Sequence, residues 1–372
     1  MPDATPLPPG RVAVVLPPRE GFATGAVGAI GLQVAALAGP DDVIVGPPPA
    51  GASLLPGHEY RPVRPGLWPP GGRSLRYAAA VARTVRDIAP AVVEVHNRPD
   101  IAHYIARHHP GQKVLLVLHN DPQGMRGADT PALRAALLAR MGVACVSGWV
   151  RQRFVAGLPD SAGRQVGLSP NGVALPVSVP PQSARGRVLL FAGRVVADKG
   201  ADLFVAACER LRPDHPDWRF EMIGADRFRD DAPATPFVNA LAPRARAAGV
   251  DAAGYRPHAD VLDAMARAAI VVVPSRWPEP FGLTALEAMA AGAALVAAPT
   301  GGLPEVVGDG GVLCAPEPVA GLARAIGTLM DSLAAREALA ARGRARAARF
   351  SVEHARACRA ARRLAALRGG GG

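Results

Sequence analysis

Residues 176–187 read PVSVPPQSARGR, a proline- and serine-rich break without hydrophobic periodicity, and the text on either side of it repeats one theme. Before it, apolar β-type runs occur at RVAVVLPP (11–18), VIVG (43–46), VVEVHN (92–97), KVLLVLHN (113–120) and GVACVS (142–147). Helical patterns lie between them, for example Ala26–Ala38, Arg73–Ile88 and Thr130–Met141. After it come RVLLFAGRV (187–195), FEMIGA (220–225), VDAAGYRP (250–257), IVVVPS (270–275), ALVAAP (294–299) and GVLCAP (311–316). Near-continuous apolar strands alternating with helices indicate parallel sheets covered on both faces. The expected fold class is therefore α/β, with two doubly wound domains facing each other across a cleft. One spans 1–180 and the other 187–348. The arginine-rich end, 349–372, reads as a helix that follows the second sheet and is placed to cross back onto the first domain.

A chain of 372 residues is long enough for two such domains, and 49% hydrophobic residues give each a core. No apolar run reaches the roughly 18–20 residues that span a bilayer, and the start, MPDATPLPPGR, lacks the basic-then-apolar order of a signal peptide. A cytoplasmic protein is expected. Cys145, Cys208, Cys314 and Cys358 are scattered, with neither disulfide nor zinc spacing.

The net charge of +11 invites a nucleic-acid reading, so its distribution matters. Residues 334–368 hold ten arginines against Glu337 and Glu353, so this tail supplies most of the excess. It reads either as a solvated helix face or as a basic surface for peripheral contact with an anionic inner membrane or an acidic acceptor. Aromatic residues are only 5%, without the basic–aromatic interleaving that stacks bases, which argues against nucleic acid as a partner.

Chemistry concentrates in PSRWPEPFGLTALEAMAAG, Pro274 to Gly292. Glu279 and Glu287 flank a glycine turn that opens a helix, whose unpaired N–H groups and partial positive charge favour a phosphate. A nucleotide sugar, with hydroxyls at both ends of a diphosphate, suits that arrangement. Glu287 lies among apolar Ala285, Leu286, Ala288 and Met289, so its carboxylate needs partners, which ligand hydroxyls would supply. The loop of FAGRVVADKG carries Arg194 and Lys199, two cations able to neutralise a diphosphate leaving group. Lys199 is one of only two lysines beside forty arginines. No Asp-x-Asp ends an apolar strand and no histidine–carboxylate cluster has metal spacing, so no metal is expected. In the first half, Gly25 lies in the glycine-rich EGFATGAVGAIG, which permits close approach of a phosphate or acceptor. His119 ends KVLLVLHN, ahead of Asn120 and Asp121, where it can bond a sugar hydroxyl or share proton traffic; His96 in EVHN is a second such candidate.

These motifs resemble the retaining glycosyltransferases of family 4, which have the GT-B fold of two Rossmann-like domains. The resemblance rests on FAGRVVADKG, on SRWPEPFGLTALEAMAAG with its Glu-x7-Glu pair, on TGGLPEVVGDGGVLCAP and on SPNGVAL at 169–175. It covers most of the second domain; the first is similar in general layout only. It implies a hexosyltransferase that uses a UDP- or GDP-linked sugar as co-substrate and no other cofactor. Arg194 and Lys199 would hold the donor diphosphate, Glu287 the ribose hydroxyls and Glu279 the sugar near its 3-hydroxyl. Pro280 and the backbone of Phe281, Gly282, Leu283 and Thr284 would meet sugar and phosphate oxygens. Arg256, Pro257 and His258 would seat the base, largely through backbone, and His119 matches the family's strand-end histidine. Transfer would proceed with retention to a glycan, lipid-linked or lipopolysaccharide-type acceptor in cell-envelope glycan synthesis. Two other readings are a GT-B nucleotide-sugar epimerase, which would form product without an acceptor, and a non-enzymatic basic nucleic-acid binder.

Overall fold

A computed structural model describes residues 10–49, 53–226 and 234–369; residues 1–9, where no leader pattern was read, lie outside them. The chain divides into two compact units, Met1–Gly172 with Val352–Gly372, and Val173–Ser351.

The first unit contains β1 (Val12–Val15), β2 (Phe22–Ala23), β3 (Ala26–Val27), β4 (Val43–Gly46), β5 (Glu59–Pro62), β6 (Val92–His96), β7 (Val114–Leu118), β8 (Gly142–Cys145) and β9 (Val166–Leu168). Seven of these form one parallel sheet in the order β5-β4-β1-β6-β7-β8-β9. β1, β4, β6 and β7 are buried along their whole length, as expected of strands covered on both faces. The edge strand β5 reads Glu-Tyr-Arg-Pro and is only partly buried, and β9 has three residues, so no apolar run announces them. The helix expected over Ala26–Ala38 starts only at Ala29. Gly25, at φ +77°, instead turns the chain into the antiparallel hairpin β2–β3.

The second unit contains β10 (Gly186–Ala192), β11 (Arg219–Ile223), β12 (Val250–Gly254), β13 (Ala268–Val273), β14 (Ala294–Ala297) and β15 (Val312–Leu313). All pairs are parallel, in the order β12-β11-β10-β13-β14-β15. Chain order runs outward from β10 on one side and from β13 on the other. The β10/β13 seam is therefore the topological switch point, where α/β sheets open a ligand crevice beyond their carboxyl ends.

The C-terminal helix, Val352–Gly369, packs on β6, β7, β8 and β9 and so belongs to the first unit. Its side chains explain an oddity of the sheet. Glu94 interrupts the apolar run of β6 and is fully buried. Arg363 answers it from the helix, Nε donating to Glu94 Oε2 at 2.7 Å and Nη1 to Asp42 Oδ1 at 3.1 Å. Burial alone would raise the Glu94 pKa. The guanidiniums of Arg363 and Arg359, with the His96 hydrogen bond, outweigh it and hold the carboxyl well below its usual range.

This corrects the reading of the arginine-rich end as one basic face. Arg336, Arg359 and Arg363 are buried, while Arg342, Arg346 and Arg356 donate to the carbonyls of Asp309, Val306 and Ala36. Six of the ten tail arginines are thus buried or hydrogen-bonded within the chain, and the tail is split between the two units.

Candidate active site

Two loops meet at the β10/β13 switch point. The first, Gly193–Gly200, ends in a 3-10 turn, Ala197–Lys199, closed by Gly200 at φ +72°. A side chain on Gly200 would strike the Pro274 carbonyl, so only glycine lets this loop lie against the one that follows β13. The Asp198 carbonyl accepts from the N–H groups of Arg276 and Trp277, both at 2.9 Å. Arg276 also bonds Asp202 and Glu317, which staples the loops together.

That stapling delivers Lys199 to Glu279. Lys199 Nζ donates to Glu279 Oε1 at 2.5 Å, and the Ser275 hydroxyl, fully buried, lies 2.9 Å from the same oxygen. Three residues later Gly282, at φ +97°, opens the helix Leu283–Ala290 with no side-chain cap. Its first N–H groups are thus left for solvent or ligand. Lys199, Glu279, Gly282, Leu283 and Thr284 line a cavity of about 60 Å³. Lys199, Glu279 and the helix start at Gly282 are therefore brought together, with the ammonium and Glu279 paired to each other. Ser275 is a wall residue the sequence reading did not single out; its place in the PSRWPEP turn was the available signal.

Other expected residues fall around this point in different ways. Phe281 turns its ring inward, edge-to-face on Phe350 at 5.7 Å, so only its backbone is available. Arg194 follows β10 but does not line the cavity, and among the described residues its guanidinium has no hydrogen bond or ion pair. Arg256 is exposed and bonds the Tyr255 carbonyl. His258, expected to act largely through its backbone, instead begins a helix and places Nε2 2.8 Å from Glu287 Oε1.

The hydrogen bond to Glu287 raises the His258 pKa above its ordinary value, against an opposing burial effect. A histidine shifted upward adds stability that is fully present below the unfolded pKa and lost as pH rises through the folded one. The melting-temperature difference between wild type and His258→Gln should therefore shrink as pH is raised from 5.5 to 8.5; a difference independent of pH would contradict the pair.

In the first unit, the helix start after the glycine-rich loop is already filled. Glu20 Oε1 accepts from the Gly31 N–H at 2.8 Å, and a side chain on Gly28 would collide with the same carboxylate. Gly25 is an exposed hairpin turn with open space around it. Asp121 caps the following turn through the Gln123 N–H and pairs with Arg153. His119 is 7% exposed and ends a buried chain: its Nε2 lies 2.8 Å from His96 Nδ1, and His96 Nε2 lies 2.7 Å from Glu94 Oε1. Ionised Glu94 only accepts, so His96 carries its proton on Nε2 and accepts on Nδ1. Burial lowers the pKa of both histidines and keeps them neutral. His119 must then donate from Nε2, which leaves Nδ1 a bare acceptor. Asn97, at φ +56°, holds the loop by accepting from the N–H groups of His119 and Asn120.

Among the described residues, no group of three or more His, Cys, Asp or Glu side chains is placed to hold a metal. No helix there is long and apolar enough to cross a membrane.

The fold defined by these two sheets is α/β of the GT-B type. Anabaena HepE, solved in complex with UDP-glucose, matches 96% of this chain and 99% of its own with a TM-score of 0.75 at 20% identity. Residues 186–332, within the second unit, match the family model described as glycosyl transferases group 1. The chain is similar to the glycogen synthase of Mycobacterium tuberculosis, 40% identical over 173 residues, covering 43% of this chain and 37% of that protein. It is also similar to the lipopolysaccharide 1,2-N-acetylglucosaminetransferase of Salmonella typhimurium, 25% identical over 233 residues, 59% and 58% of the two chains. The chain thus spans less than two thirds of the length of either relative.

Proposed function

We propose that the chain is a retaining glycosyltransferase of family 4 that moves a hexosyl group from a UDP- or GDP-linked sugar to a hydroxyl of a glycan, lipid-linked or lipopolysaccharide-type acceptor, without a metal. The observation that carries this reading is the Lys199–Glu279 pair set against the uncapped helix start at Gly282. Cation, carboxylate and free N–H groups share one small cavity at a sheet switch point. The names of HepE's ligand and of the two relatives support the donor and acceptor classes.

In this proposal the diphosphate lies on the helix start and Lys199, with Arg194 closing from the same loop. The sugar hydroxyls displace Lys199 from Glu279, and the nucleoside ribose takes Glu287 from His258. The acceptor oxygen bonds to the anomeric carbon on the face from which the nucleotide departs. The bond to the diphosphate oxygen breaks, and that oxygen takes the acceptor proton. Charge stabilisation on the leaving diphosphate is the protein's main contribution. His119, with Nδ1 as acceptor, would orient a sugar hydroxyl. Membrane contact read from the arginine tail is not part of the proposal, since so many of those arginines are engaged within the chain.

Product analysis by NMR with excess chelator tests the mechanism. The expected product keeps the donor's anomeric configuration and forms at an undiminished rate. An inverted product, or loss of activity that added magnesium restores, would contradict it. Product formed without any acceptor would favour an epimerase.

A further inference from the structure

Five buried polar atoms without a hydrogen-bond partner belong to residues that wall one cavity of the first unit: His58 Nδ1, Arg359 Nε, Nη1 and Nη2, and Arg363 Nη2. The cavity, of about 410 Å³, is walled by these side chains, by Arg356 and by the Gly39 turn. That volume is in the range of small-molecule sites.

The charges around it do not balance. Arg359 and Arg363 stand one for one against the carboxylates of Glu94 and Asp42, Arg363 takes the hydrogen bonds of both, and Arg356 adds a third guanidinium at the rim. Its Nη2 lies 2.9 Å from Asp42 Oδ2 as an ion pair, but out of line for a further hydrogen bond. Arg359 is left with a 3.6 Å ion pair to Glu94, and the residue is 1% exposed. An arginine does not escape such a place by losing its proton, and a buried cation without full pairing is strongly unfavourable. Arg356, exposed at the rim, uses Nε and Nη2 on the Ala36 carbonyl. The site thus has a surplus guanidinium, spare donors and room, and lacks an anion.

The cavity is distinct from the place where His119 sits. Gly39 and His58 precede β4 and β5, at the amino edge of the strands, whereas His119 follows β7 at the carboxyl edge. We propose that this cavity binds a soluble phosphomonoester of sugar-phosphate size. Guanidinium forks match phosphate oxygens in pairs, which selects that class over a simple halide. Its occupant would touch the same Arg363–Glu94 cluster that orients His96 and, through it, His119.

The test is thermal unfolding of the full chain with inorganic phosphate, a hexose 6-phosphate, and sodium chloride at matched ionic strength. The variants are Lys199→Ala, Arg359→Met and the pair His58→Ala with Arg356→Gln. The phosphates should raise the melting temperature of wild type and Lys199→Ala alike in a saturable way, chloride should not, and both cavity variants should lose the shift. If Arg359→Met does not fold, the His58/Arg356 variant carries the same comparison. An equal shift in the cavity variants, a shift lost in Lys199→Ala, or none in wild type would overturn the proposal. Binding to phosphatidate vesicles that needs Arg359, with no response to soluble phosphates, would overturn the soluble source.

Discussion

Lys199→Ala is expected to lower kcat/KM for the nucleotide sugar by a hundredfold or more, roughly 3 kcal/mol of barrier. The loss has two parts. One is the missing cation at the diphosphate, whose leaving oxygen gathers charge as the sugar departs. The other is the carboxylate that remains. Glu279 is only 9% exposed and its charge partner is Lys199 at 2.5 Å, so the variant leaves an unneutralised anion where another anion must bind. Lys199→Ala combined with Glu279→Gln should therefore recover donor affinity relative to Lys199→Ala alone, although not the rate. Steady-state kinetics with donor varied checks both statements, and a Lys199→Ala enzyme within threefold of wild type would sink this role for the lysine.

Arg363→Ala should be the most damaging single change to stability away from that cavity, about 3–5 kcal/mol, because it strands two buried carboxylates. For a unit of this size that corresponds to a melting-temperature drop on the order of 10 °C. The pH dependence follows from the Glu94 shift. In wild type the depressed pKa adds stability that is present above the unfolded carboxylate value and is lost as pH falls through the folded one. Without Arg363, burial prevails and the Glu94 carboxyl takes up its proton at higher pH. Acid unfolding of the variant should then begin at a higher pH than in wild type. A stability loss under about 1 kcal/mol, typical of exposed pairs, would mean that the cluster is not formed.

The parts of this molecule that were legible in the sequence are those written locally. The buried strands are unbroken apolar runs, and Lys199, Glu279 and Gly282 each sit in a short segment whose turn residues fix their backbone. What escaped notice is pairing across the chain. Glu94 and Arg363 are 269 residues apart, and nothing in either neighbourhood names the other. The polar interruption in VVEVHN did signal that a partner was needed. Counting charge along the tail misled, because Arg359 and Arg363, one helical turn apart, face the sheet and are buried. The glycine-rich loop misled for a similar reason: the anion for its helix start is the chain's own Glu20, supplied from just upstream. His258 was read as backbone because its sequence neighbours do not include Glu287.

The measurement that bears most directly on the central claim is calorimetric titration of UDP-glucose and GDP-mannose into wild type and Lys199→Ala, with chelator present throughout. One of the two donors should bind wild type saturably without metal, and its affinity should fall at least tenfold in the variant. Equal affinity in both proteins, or no binding of either nucleotide sugar by wild type, would contradict a donor site built on Lys199, Glu279 and the Gly282 helix start.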